Sequence, residues 1–173
     1  MDIEERIRKI PNFPRKGVLF YDITSVLCDP EAFSWCIDQM VSRYRPAELD
    51  AVVAIESRGF LFGAPLALRM GLPVVLARKQ GKLPGKTYRK SYELEYGSDT
   101  IEIQESDIRK GQRVVIVDDL IATGGTIAAT AELIREIGSK PIEAFSVIGL
   151  PFLNYADRVA PLRVHTLVEF EGE

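Results

Sequence analysis

Val114 to Thr126 reads VVIVDDLIATGGT. Four apolar residues run straight into two adjacent carboxylates, and the chain then turns through paired glycines flanked by threonines. A buried strand gains nothing by ending on two like charges, because neighbouring carboxylates repel and each resists leaving water. Their placement calls for something to meet them. The turn that follows, Ala122, Thr123, Gly124, Gly125 and Thr126, offers successive backbone N–H groups and two hydroxyls where a helix begins, and its glycines let the backbone close on an anion. A phosphate fits this. The lysine and spacing of GxxxxGK[ST] are missing and the pattern is not GxGxxG, so a nucleoside triphosphate is not implied.

With a phosphate on the turn, Asp118 and Asp119 lie roughly one sugar's length before it. There they can accept hydrogen bonds from two ribose hydroxyls and stabilise a ribose carbon that becomes cationic as its leaving group departs. The plainer reading is a helix cap made by Asp119 and a glycine turn made for packing.

Outward from this stretch the chain alternates strand and helix signals. AVVAI (51–55) is a short apolar run of buried-strand type; ESRG follows, then FLFGAPLALRM (60–70) as a helix stopped by Gly71, then PVVLA (73–77) as the next strand. VVIV (114–117) passes through the DDLIATGG turn into a helix over 126–137, where Ile127, Ala131, Ile134 and Ile137 share one face. Gly138 ends that helix and IEAFSVIG (142–149) supplies another strand. Two such βαβ units predict an α/β chain with a mainly parallel, twisted sheet flanked by helices. Ligands bind such sheets in the loops at the carboxyl ends of the strands, where 56–59 and 118–126 both fall.

Between the units the period changes to two. Tyr92, Leu94 and Tyr96 alternate, GSD (97–99) turns, and Ile101 and Ile103 alternate again, which reads as an antiparallel hairpin rather than core and as a candidate mobile lid. EERIRKI (4–10) reads as a short helix. NFPRKGVLFYDIT (12–24), broken by Pro14 and Gly17, reads as a loop that could cover a site. EAFSWCIDQM (31–40) is a helix signal with Phe33 and Trp35 as core residues, and the lone His165, in the terminal strand RVHTLVEF (163–170), is read as structural.

Over 173 residues, 46% hydrophobic and 27% charged is the composition of one globular domain. A net charge of -3 and a pI near 5.4 argue against a nucleic-acid partner, so any basic site must be local. Cys28 and Cys36 have neither zinc-site nor disulfide-framework spacing. No apolar leader and no run approaching ~20 apolar residues is present, so a cytoplasmic protein with no membrane partner is expected.

The local basic site is RKQGKLPGKTYRK (78–90), with six basic residues and no acidic one. A solvated loop is the plain reading of such a run. Its position after a strand end, beside ESRG, favours a polyanion site instead, to which Arg58 adds a guanidinium and Gly59 a close backbone approach. Two phosphate-seeking regions on one sheet predict a substrate with phosphate at both ends.

VVIVDDLIATGGT resembles the phosphoribosyl-pyrophosphate signature of the type I phosphoribosyltransferases. NFPRKGVLFYDIT, ESRGFLFG, RKQGKLPGKT, SYELEYG and LVEF, in this order, resemble the adenine-using branch of that family along nearly the whole chain. The resemblance implies a type I phosphoribosyltransferase fold over a single domain, 1–173, with 1–30 contributing a hood and 78–104 a flexible catalytic flap. It implies transfer of the 5-phosphoribosyl group from phosphoribosyl pyrophosphate to N9 of adenine, giving AMP and pyrophosphate, with Mg²⁺ as cofactor held mainly through substrate and water. It further implies the 5-phosphate on Ala122 to Thr126, the ribose hydroxyls on Asp118 and Asp119, and pyrophosphate on Ser57, Arg58, Gly59, Arg78, Lys79 and Lys82. Adenine would lie against Leu19, Phe20, Tyr21 and Leu150, with Glu95 as the catalytic glutamate near N7. A cis peptide in the ESRG loop and a homodimer are implied as well.

Two positions depart from the family pattern: Tyr21 stands where Arg is usual, and Gly149 stands where Glu commonly precedes the leucine matching Leu150. Two other readings share the sugar-phosphate machinery. One is transfer to guanine, hypoxanthine or xanthine; the other is a non-catalytic phosphoribosyl-pyrophosphate sensor, which commonly carries an added DNA-binding region for which this chain has no spare length.

Overall fold

The computed structural model describes residues 1–44, 49–93 and 97–172. A 3-10 turn over Glu4–Arg6 leads into β1 (Arg8–Pro11), which pairs antiparallel with β2 (Leu19–Asp22), Ile10 opposite Phe20. This corrects two expectations: EERIRKI is helical only at its start, and NFPRKGVLFYDIT is not all loop. The reason is a competitor for the backbone. Ser25 Oγ accepts the Arg8 N–H at 2.9 Å and donates to the Arg6 carbonyl at 2.7 Å, taking groups that a longer helix would use.

Next come α1 (Thr24–Leu27) and α2 (Pro30–Tyr44). Asp29 Oδ1 accepts the N–H groups of Glu31 and Ala32, and Pro30 opens the first turn of α2, the residue types a helix start calls for. Ala32, Cys36, Met40 and Tyr44 then recur every fourth residue on its buried face. Phe33 and Trp35 are partly buried and pack against that core.

The main sheet is built from β3 (Ala51–Ile55), α3 (Gly59–Met70), β4 (Val74–Lys79), β5 (Thr87–Glu93), β6 (Ser98–Gln104), β7 (Arg113–Ile121), α4 (Gly125–Glu136), β8 (Lys140–Gly149), α5 (Tyr155–Val159) and β9 (Val164–Glu169). Its strand order is β5-β6-β4-β3-β7-β8-β9. From β4 to β9 every neighbouring pair is parallel, while β6 runs antiparallel to both β4 and β5. Alternation along the strands divides the core: Val115 and Val117 pack on the face that carries α2 and α3, and Val114 and Ile116 on the face that carries α4.

The period-two hairpin is therefore part of the main sheet and not a separate ribbon outside the core. Arg78 and Lys79 on β4 pair with Glu102 and Ile101, and Ile101 and Ile103 are buried in the α4 face. Of the expected GSD turn, Ser98 and Asp99 belong to β6 instead, where they pair with Glu93 and Tyr92. A two-stranded ribbon is marginal alone, and docking on β4 buries the apolar face that it would otherwise expose.

Candidate active site

Asp118 and Asp119 lie inside β7, not in a loop after it, and the turn begins only at Ala122. Their side chains leave adjacent strand positions, yet the two carboxylates stay neighbours: Asp118 Oδ1 accepts the Asp119 N–H at 2.9 Å and lies 3.1 Å from where a Cβ on Gly59 would stand, beside the Arg58 that Asp119 holds. Asp118 lines a cavity of about 130 Å³ whose remaining wall is formed by residues 120–127. Asp119, 4% exposed, faces the start of α3 and accepts from Arg58 Nε at 2.6 Å. Burial first, and then the neighbouring Asp119 charge, push the Asp118 carboxyl well above the usual carboxylate range.

The phosphate turn has the geometry of an anion cradle. Gly124 precedes α4 with φ 77°, a left-handed conformation that glycine adopts without strain. No side chain caps α4, so the N–H groups of its first turn remain open to an anion at the positive end of the helix. Two residues that the sequence reading did not single out for the site reach the turn from outside it. Tyr92 Oη lies 3.2 Å from Thr126 Oγ1, and Arg158, whose guanidinium covers Gly125, donates to the Glu93 carbonyl at 2.6 Å. Tyr92 lies in the recognised SYELEYG segment; Arg158 carries no local signal.

Across the sheet, Gly59 brings α3 against β7: a Cβ there would stand 2.7 Å from the Val117 carbonyl oxygen. This close approach is what puts Arg58 on Asp119. The Glu56–Ser57 peptide bond is cis. Ser57 is exposed, while Glu56 faces the basic run and accepts from Arg78 at 3.1 Å, from Lys82 at 2.8 Å and from the Lys79 N–H at 3.0 Å. Burial alone would raise the Glu56 carboxyl, but Lys82, Arg78 and the Lys79 N–H hold it down at about 2. Lys79 Nζ meets Asp99 at 2.9 Å.

A second, apolar cavity of about 300 Å³ lies beside Arg58 and is lined by Ile10, Phe13, Phe20, Tyr21 and Ile23, with Asp22 and Thr24 at its polar side. Phe13 meets Phe20 edge to face at 5.0 Å. Phe20 and Tyr21 thus share this wall with Arg58. Leu19 packs on the core and Leu150 is buried in it; neither lines the cavity. The Tyr21 side chain stacks on Phe170 at 4.0 Å and its hydroxyl donates to the Gly172 carbonyl at 2.7 Å. At Gly149 a Cβ would stand 2.8 Å from Thr166 and 2.9 Å from Tyr155 Oη, and both hydroxyls donate to Glu169 Oε1. The space beside Gly149 is filled by that cluster. Glu95 lies outside the described residues.

Residues 31–168 match the family model described as phosphoribosyl transferase domain. The chain is 52% identical to the adenine phosphoribosyltransferase of Treponema denticola over 171 residues, 99% of this chain and 90% of that one. It superposes with a TM-score of 0.93 on the crystal structure of adenine phosphoribosyltransferase from Thermoanaerobacter pseudethanolicus, at 45% identity and covering 98% of each chain. The TM-score is 0.90 with the Saccharomyces cerevisiae enzyme crystallised with D-2,5-dideoxy-2,5-imino-altritol 1,6-bisphosphate and adenine, at 40% identity and covering 96% of this chain and 97% of that one.

Proposed function

This chain belongs to the adenine phosphoribosyltransferase family, and from that premise we propose how its residues carry the reaction. It is a purine-salvage enzyme that transfers the 5-phosphoribosyl group of phosphoribosyl pyrophosphate to N9 of adenine, giving AMP and pyrophosphate. The observation that carries the site reading is the Arg58–Asp119 pair: Arg58 lines the apolar cavity, and Asp119 is the strand neighbour of Asp118, which lines the anion cradle.

In this reading the 5-phosphate rests on Ala122, Thr123, Gly124, Gly125 and Thr126, supported by the uncapped start of α4. Asp118 and Asp119 accept from the ribose hydroxyls and stabilise positive charge on the sugar as its C–O bond breaks. Ser57, Arg58 and Gly59, with Arg78, Lys79 and Lys82, receive the departing pyrophosphate. The base enters the cavity against Phe20 and Tyr21, Leu19 and Leu150 stand outside that lining as its proposed neighbours toward the core, and Glu95 manages its proton near N7. The whole chain works as one domain, with 1–30 as hood and 78–104 as flap over the reacting atoms, excluding water that would hydrolyse the activated sugar.

Mg²⁺ belongs to the same proposal. It would be held mainly through the substrate's phosphates and water, the way Mg²⁺ keeps most of its hydration, and among the described residues no cluster of three or more His, Cys, Asp or Glu is placed to ligate it directly. When bound with pyrophosphate it neutralises charge that develops on the leaving group. A homodimer is also proposed, supported by Leu61 and Leu68, 46% and 82% exposed and seven residues apart on α3. Among the described residues no helix is long and apolar enough to cross a membrane. We read the chain as cytoplasmic, with no nucleic-acid partner on grounds of its net charge.

The test is nucleotide formation by the purified protein with phosphoribosyl pyrophosphate and Mg²⁺, offering adenine, guanine, hypoxanthine and xanthine separately. Selective AMP formation is expected. Reaction with another base would overturn the assignment of the apolar cavity, and binding of phosphoribosyl pyrophosphate without any product would overturn the enzymatic reading.

A further inference from the structure

Every cation that the pyrophosphate reading uses is already paired with a carboxylate. Arg58 is on Asp119 at 2.6 Å, Lys79 on Asp99 at 2.9 Å, and Arg78 and Lys82 are both on Glu56, at 3.1 and 2.8 Å. Asp119 and Asp99 each hold one of these cations. Glu56 holds two through Oε1, while its Oε2 accepts the backbone N–H of Lys79, and its side chain is only 8% exposed.

A buried carboxylate beside the site of a highly charged anion opposes binding by its charge alone. Its benefit must lie in geometry. Long Arg and Lys side chains lose rotamer freedom when they grip a phosphate, and a group that orders them beforehand removes that loss from the binding step. Glu56 is placed to do this. It follows β3 directly and precedes Ser57 and Arg58, while Arg78 and Lys79 end β4, the strand that β3 pairs with, and Lys82 follows in the turn beyond it. Arg78 also donates to the Lys82 carbonyl at 3.1 Å, which closes the turn between them.

We propose that Glu56 is a positioning residue for pyrophosphate, ordering Arg78, Lys82 and the Lys79 backbone into one cradle before substrate arrives. The proposal rests on the transferase reading above. It separates the roles of two neighbours in ESRG: Arg58 contacts the leaving group, and Glu56 acts through the cations of the adjacent strand.

Glu56→Gln keeps an acceptor for the Lys79 N–H and removes the charge that holds Arg78 and Lys82. Calorimetric titration with magnesium pyrophosphate should show affinity falling by about tenfold, and KM for phosphoribosyl pyrophosphate should rise by a similar factor while KM for adenine stays unchanged. Glu102→Gln is the comparison. Glu102 meets Arg78 only through the β4–β6 ladder; its side chain accepts the Gly81 N–H at 3.0 Å and meets Arg89 at 3.4 Å, so it supports the same turn without a side-chain bond to Arg78 or Lys82. Its pyrophosphate affinity should stay within about twofold of the parent.

Should Glu56→Gln fail to fold, Glu56→Asp retains the charge but withdraws it by one methylene, and intermediate affinity is expected. Unchanged or tighter pyrophosphate binding in the Glu56 variants overturns the proposal, as does an equal loss in Glu102→Gln. If the parent protein itself forms no AMP, the transferase reading falls and this proposal falls with it. A parent that makes AMP beside a Glu56→Gln variant with parental pyrophosphate affinity overturns the role of Glu56 alone.

Discussion

Arg58 Nε donates to Asp119 Oδ2 at 2.6 Å, joining the ESRG loop to the carboxylate pair on β7 across 61 residues of sequence. The guanidinium proposed for the leaving group and a carboxylate proposed for the ribose are therefore held as a pair before either meets substrate. Asp119→Asn keeps an acceptor for Arg58 and removes the negative charge. Turnover should fall by about 10²-fold, with the loss in kcat rather than in KM for adenine. Steady-state kinetics decide it, and near-normal turnover in the Asp118→Asn, Asp119→Asn double variant would sink the ribose role.

Arg58→Ala strips Asp119 of this partner while leaving the carboxylate buried. Because Arg58 is itself about half exposed, the stability loss should be nearer ~1–2 kcal/mol than the full penalty of breaking a buried pair. Pyrophosphate inhibition should weaken in the same variant. Urea denaturation and product-inhibition assays read the two effects separately, and unchanged inhibition would remove Arg58 from the leaving-group site.

At Gly124 a substitution meets two obstacles at once. Alanine would adopt φ 77° in a turn where its Cβ stands 2.8 Å from Val159 Cγ2 and 3.2 Å from the Tyr155 Cβ and carbonyl oxygen. Gly124→Ala should cost about 1–3 kcal/mol and raise KM for phosphoribosyl pyrophosphate. Thermal melting and substrate titration test this, and a parental KM would detach the turn from the 5-phosphate.

Tyr21 and Phe20 should separate stability from base binding. Tyr21→Phe loses the hydrogen bond to the Gly172 carbonyl but keeps the stack on Phe170, so about 1 kcal/mol of stability should go with adenine preference intact. Phe20→Ala opens the apolar cavity and should raise KM for adenine by about tenfold. A base panel with both variants checks the assignment; a change of preferred base in Tyr21→Phe would mean that the hydroxyl takes part in recognition.

The acid limb of stability should carry the signature of Glu56. Its carboxyl is held at about 2, against an ordinary value of 4.5, so the folded state favours the charged form. The stabilisation is complete above the ordinary value and is lost as pH falls from 4.5 towards 2. Glu143 acts with the same sign: burial opposes its charge, but the paired bonds from Arg43 at 2.6 Å and the bond from Tyr44 at 3.0 Å hold its carboxyl below the usual range. Urea midpoints between pH 6 and 3 should fall less steeply in Glu56→Gln than in the parent. Parallel limbs in the two proteins would contradict this linkage.

Much of the fold was legible because its signals are short in range. Ala51–Ile55 is apolar throughout and is buried throughout, and the helix after the phosphate turn begins within one residue of its expected start. The misread elements were those whose partners lie far away. β1 and β2 make sense only as a pair bracketed by Ser25 and Phe170, and Ile101 and Ile103 looked like one side of a free ribbon until β4 supplied the neighbour that buries them.

The candidate site divides along the same line. Composition, period and turn chemistry, all set within a few residues, determined the α/β class and marked the glycine turn, the carboxylate pair and the basic run as candidates. Only the tertiary structure decided that Asp119 is held by Arg58 and that Glu56 gathers Arg78 and Lys82. Those relations join groups 22 to 61 residues apart. They depend on strand register and on the close approach of α3 to β7 at Gly59, which no local pattern in the chain records.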